Sequence, residues 1–159
     1  MKNFLLFQIG WFACVLGAAN GYAAEGAVVA LLIIAWHVAD APRPAREAAV
    51  AGVAAAVGLV FENFLVEAGW VSVQDGVYWL VILWALFATT LNGALRALQG
   101  RPWLAALVGA LGGPLAYYAG ERMGALQLLQ PAAMLAALAL GWAIATPLLL
   151  SLARRLAVP

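Results

Sequence analysis

The chain is poor in charge and in reactive side chains. Only 9% of its 159 residues are Asp, Glu, Lys or Arg, against 67% hydrophobic residues, whereas about a quarter of a soluble domain is charged. That deficit excludes a soluble domain and places the chain in a membrane. The formal net charge is +1 with no basic run, so nothing tracks a nucleic-acid backbone and no nucleic-acid partner is expected. Cys14 is the only cysteine, which excludes an internal disulfide framework and a thiolate cluster. Lys2 is the only lysine, His37 the only histidine, and Ser72 and Ser151 the only serines. A Ser/His hydrolase would have to pair His37 with Ser151, the one serine at its depth, and no supporting motif accompanies it. HExxH, GxxxxGK, GxGxxG and GxSxG patterns are absent. No metal and no cofactor is therefore expected.

What is present is apolar sequence in lengths suited to a bilayer, where a crossing helix needs about 20 residues. The pattern predicts an all-α polytopic membrane protein: one compact domain over 1–159 with six transmembrane helices, at about 3–19, 23–38, 47–66, 76–98, 102–120 and 128–153. The opening residues mimic a secretory signal peptide, but Gln8 and Trp11 interrupt the apolar run, and a retained first helix is the preferred reading. Gly52 and its alanines suit close helix packing. Gly109, Gly112, Gly113 and Pro114 allow either a tight crossing or a break that frees backbone groups. Pro131 suits a first turn and Pro147 a kink.

Loop charge orients the six-helix path. Lys2, Arg43, Arg46, Arg96, Arg101, Arg154 and Arg155 fall on one side and only Arg122 on the other, so the positive-inside rule makes both termini cytoplasmic. Tyr22, Tyr78, Tyr117 and Tyr118 fall near the outer surface, and Trp36 and Trp103 mark the inner one.

The fourth segment is the centre of the reading. Tyr78, Ile82, Ala85, Thr89, Asn92, Arg96 and Gln99 alternate at steps of four and three, which places them on one helical face that turns polar in its second half. Polar groups at membrane depth need partners. Gln8, His37, Thr89, Asn92 and Arg96 lie at similar depths and could receive an anionic head group, with Arg96 as charge partner. The plainer alternative has Gln8 and Asn92 joining helices while Arg96 reaches the surface, and Asp40 is available to pair with His37. Toward the other surface, Glu62 lies inside the apolar end of the third helix, with Tyr118, Glu121 and Arg122 after the fifth. Glu62 reads either as a functional carboxylate or as one half of a Glu62–Arg122 ion pair.

FQIGWFACVLGA from Phe7, FENF from Phe61, LWALFATTLN from Leu83 and GALGGPLAYYAGERMGA from Gly109 resemble a bacterial membrane family catalogued as domain of unknown function 2878, over nearly the whole chain. The resemblance implies a multi-pass protein of the bacterial inner membrane, and it implies no activity. The neighbourhood of its genes to those of lipid-modifying enzymes points toward lipid by association. Other members often carry His or Ser after the asparagine, where this chain has Gly93, so a side-chain role there is absent.

Three functional expectations follow. The first is binding or transport of a membrane lipid or small amphiphile through Gln8, Asn92 and Arg96 on one side and Glu62 with Arg122 on the other. The second is a structural or partner subunit, as a homo-oligomer or beside another membrane protein such as a lipid-modifying enzyme. The third is a lipid-modifying enzyme using Glu62 or His37 as acid or base.

Overall fold

The computed structural model describes residues 2–157. It contains α1 (Lys2–Ala19), α2 (Ala23–Asp40), α3 (Pro44–Glu67), β1 (Val71–Val73), α4 (Tyr78–Ala88), α5 (Pro102–Arg122), β2 (Leu126–Leu128) and α6 (Pro131–Ala157). Prolines open α3, α5 and α6, where a missing N–H costs no intrahelical bond. Five of the six helices are long and apolar enough to cross a membrane. Large apolar side chains such as Leu32, Val60, Leu115 and Leu148 cover their outward faces, as contact with acyl chains requires.

The fourth helix departs from the expected 76–98 span. It has 11 residues and rises about 16 Å, roughly half of a hydrocarbon core. Its end has a local cause. The Thr89 and Thr90 hydroxyls donate to the Leu86 and Phe87 carbonyls, both at 2.7 Å, and their backbone N–H groups bond the same carbonyls. These i→i−3 bonds tighten the α-helical ladder and compete with its continuation. Turns of the same reach continue through Asn92 and Gly93 to a single 3-10 turn at Arg96–Leu98. Thr89, Asn92, Arg96 and Gln99 therefore do not extend the face begun by Tyr78, Ile82 and Ala85. Periodicity cannot register a hydroxyl that competes for a carbonyl.

The all-α expectation is also modified by a small antiparallel sheet, in which Val71 pairs with Leu128, Ser72 with Gln127 and Val73 with Leu126. Gly69 and Gly124 bring β1 and β2 together. Both take a left-handed backbone (φ 69° and 87°), so that α3 and α5 close with bonds from Trp70 N to Leu65 O and from Ala125 N to Gly120 O. The sheet buries Val71, Leu126 and Leu128 at one end of the bundle.

The opposite end gathers the basic residues other than Arg122, and both ends of the described chain. Arg43 and Arg46 donate to the Ala157 and Leu156 carbonyls, capping α6, while the Lys2 ammonium lies 4.1 Å from the Trp36 ring centre. Between the two ends, α1 packs on α2, α3 on α4 and α5 on α6, with α4 also touching α1 and α2. One core layer near the sheet holds Cys14, Leu65, Trp79 and Leu138. A second, toward the arginine end, holds Ala54, Trp84, Leu91 and Leu149.

α5 runs unbroken through Pro114, so the tight crossing, not the break, describes Gly109 and Gly113. A Cβ at Gly113 would overlap the Trp142 ring, and one at Gly109 would overlap the Trp142 carbonyl and Thr146. Gly52 behaves otherwise. Among the described residues it faces open space, and Ala48 and Ala56, four residues to either side, are exposed.

Candidate functional site

A buried carboxylate, a lateral cleft and a polar chain at the arginine end are the three places where chemistry can occur. Glu62 is fully buried. Gly58 and Glu62 lie four apart on α3 and so share a face toward α4. The missing side chain at Gly58 leaves room for the Trp84 ring, whose Nε1 donates to Glu62 Oε1 at 2.8 Å. The Tyr117 hydroxyl, from α5, donates to the same oxygen. Among the described residues Glu62 Oε2 has no hydrogen-bond partner. The expected Glu62–Arg122 pair is not formed, because Glu62 points into the bundle while Arg122 is exposed beside the sheet. Tyr117 belongs to this cluster and not to the outer surface.

Trp84 continues the cluster toward α6. Its ring stacks on Trp142 with centroids 4.2 Å apart and planes at 18°, and Phe87 meets Trp142 edge-on at 5.1 Å. On the other side of this aromatic wall lies a cleft of about 460 Å³, within the roughly 300–1,000 Å³ of small-molecule sites. α1 supplies Phe4, Phe7, Gln8 and Trp11, whose spacing is that of one helical face. α4 forms the floor, and α5 forms the opposite wall from Val108 to Ala119, a helical rise of about 16 Å. No charged side chain lines the cleft. Gly112 faces into it with nothing within 4 Å of a Cβ placed there.

The polar chain at the arginine end joins three elements. His37 Nε2, on α2, lies 3.4 Å from Glu47 Oε2, on α3. Asn92 Nδ2 donates to Glu47 Oε1 at 2.8 Å, and Gln99 Nε2 donates to Asn92 Oδ1 at 2.9 Å and to the Leu91 carbonyl at 3.0 Å. Each Glu47 oxygen thus has a partner, and the chain pins the turns after α4 against α2 and α3. Asn3 donates to the Thr89 carbonyl at 3.5 Å, and its amide occupies the space a side chain at position 93 would fill.

The nine residues singled out in the sequence are consequently spread over separate sites. His37 and Asn92 meet through Glu47, and the Thr89 hydroxyl is spent on Leu86. Gln8 faces the cleft instead. Arg96 is exposed in the 3-10 turn, away from any shared anion site with Gln8. Glu121 accepts from the Leu128 N–H at 2.8 Å and holds β2, while Tyr118 is exposed on the outside of α5. Sequence reasoning missed Glu47, Trp84 and Tyr117. The Phe4, Phe7, Gln8, Trp11 spacing marks one helical face without saying that it borders a cleft, and no spacing connects Glu62 to donors on two other helices. Among the described residues no group of three His, Cys, Asp or Glu side chains is placed to hold a metal ion.

Comparison with known proteins agrees with the resemblance noted in the sequence. No curated protein and no solved structure matches the chain. Residues 1–148 match the model of a family described as "Protein of unknown function (DUF2878)", and the chain belongs to that family.

Proposed function

We propose that this protein binds a lipid or small amphiphile in the lateral cleft between α1 and α5, within a bacterial inner membrane and with the arginine end cytoplasmic. The cleft carries the reading: about 460 Å³ with apolar and aromatic walls, closed behind by the Trp84–Trp142 stack. Its elongated shape suits a chain-like ligand entering sideways from the bilayer. Glu62 and Asn92 act in this reading as supports, because Glu62 Oε1 and both polar atoms of the Asn92 amide serve other side chains.

Gly112→Leu is the direct test. A side chain there has open space at its Cβ and projects into the cleft, and replacing a helix-interior glycine adds up to about 1 kcal/mol of stability. Native mass spectrometry of the protein extracted from its own membranes should find a retained lipid or amphiphile, and Gly112→Leu should lose it while staying folded. Equal retention by both proteins would refute the reading.

The partner-subunit alternative draws on a different face. Ala48, Gly52 and Ala56 are exposed at four-residue spacing on α3, the pattern by which membrane helices approach closely. Stoichiometric co-purification of a second chain, abolished by Gly52→Leu, would favour it over the cleft.

A further inference from the structure

We infer that the occupant of the cleft is an uncharged amphiphile whose hydroxyl or carbonyl is recognised by the Gln8 amide. This rests on the cleft reading and specifies its chemistry. Gln8 is half-buried among Phe4, Phe7, Trp11 and Phe87. It stands six residues from Lys2, a rise of about 9 Å into the bundle. An amide at membrane depth loses its hydration and must find both a donor and an acceptor. Among the described residues Gln8 has neither.

Apart from the Trp11 indole, which can only donate, the other polar side chains of the cleft are already committed or covered. The Thr90 hydroxyl donates to Phe87 and the Tyr117 hydroxyl to Glu62. Trp142 Nε1 and Thr146 Oγ1 lack partners but are shielded from the open space, where α6 lies against Gly109 and Gly113. Among the described residues Gln8 is therefore the one side chain of the lining with both a free donor and a free acceptor, since the Trp11 indole can only donate. The same inventory decides the charge of the ligand. With no Lys, Arg, Asp or Glu in the lining, an ionised head group in the cleft would meet no counter-charge, and burying it uncompensated is unfavourable. A hydroxyl can serve both ends of the amide, donating to Oε1 and accepting from Nε2. A carbonyl satisfies the Nε2 side.

Three probes of matched chain test this on the full-length protein in phosphatidylcholine nanodiscs: 9,10-dibromooctadecanol, 9,10-dibromooctadecane and 9,10-dibromostearate. Bromine quenches the tryptophans of the cleft wall, so saturable quenching reports occupancy. The alcohol should bind about fivefold more tightly than the alkane, the advantage of one net hydrogen bond. Gln8→Leu should erase that difference while keeping alkane binding, and Gly112→Leu should abolish quenching by both. Equal binding of alcohol and alkane to the wild type would overturn the inference and leave the cleft reading intact. Tightest binding of the stearate anion would overturn it as well. Absence of saturable quenching by any probe, with Gly112→Leu indistinguishable from wild type, would overturn both. The wild-type comparison alone is decisive even where a variant folds poorly.

Discussion

Tyr117→Phe probes how the bundle tolerates a carboxyl group at its centre. The substitution removes one oxygen atom and keeps the ring in place. Glu62 Oε1 would retain the Trp84 donor and lose the other, with Oε2 already bare. Leaving a buried polar group short of a partner costs about 1–3 kcal/mol, but hydrogen bonds between membrane helices average only about 0.6 and reach about 1.7 kcal/mol, because separated helices find other partners in the bilayer. Glu62 is fully enclosed, so a loss near the upper part of the membrane range, about 1.5 kcal/mol, is expected. Glu62→Leu should cost more, since it orphans the Trp84 and Tyr117 donors at about 1–3 kcal/mol each. The double variant should cost less than the sum of the singles by at least about 1 kcal/mol, because removing both partners leaves fewer unmet groups. The assay is reversible unfolding in mixed micelles titrated with dodecyl sulfate, read by helicity and tryptophan fluorescence. An additive cycle, or Tyr117→Phe within about 0.5 kcal/mol of wild type, would refute the assigned pairing.

The same titration distinguishes two glycines that look alike in sequence. Gly58→Ala should destabilise by about 1–3 kcal/mol, since its methyl overlaps the stacked Trp84 ring, whereas Gly52→Ala should be neutral or stabilising by up to about 1 kcal/mol; equal effects would show that Trp84 does not sit on Gly58. Asn92→Ala cuts the chain from Glu47 to Gln99, so amide hydrogen exchange should quicken over residues 89–99 and stay unchanged over α4. Uniform protection in the variant would mean that these turns hold without Glu47.

Much of the architecture was readable because membrane burial writes itself into composition. Apolar runs bounded by Pro102 and Pro131 predicted α5 and α6 near their observed starts, and seven basic residues predicted one arginine end. The fourth helix was misread for a specific reason. A periodicity of four and three continues through Thr89, Asn92 and Arg96, but the Thr89 and Thr90 hydroxyls take the Leu86 and Phe87 carbonyls and end the helix at Ala88. Glu62 was recognised as unusual from its apolar surroundings. One of its two readings paired it with Arg122, the only basic residue at that end, whereas a tryptophan and a tyrosine supply the hydrogen bonds. Gln8 was noticed, and the spacing of Phe4, Phe7 and Trp11 around it marks a common helical face, yet nothing in that spacing says that the face is left uncovered.

The amino-acid sequence by itself determined that this is a multi-helix membrane protein with seven of its eight basic residues assigned to one end. Both properties are local sums over residues, of hydropathy along a helix and of charge in the connections. Tertiary structure alone decided which small residues seat a neighbour. Gly58 and Gly113 receive tryptophan rings, while Gly52 and Gly112 face open space. It also decided that α1 and α5 stand apart around a cleft. These outcomes depend on which helix faces lie opposite one another, and complementarity across helices distant in the chain leaves no periodic trace in either one.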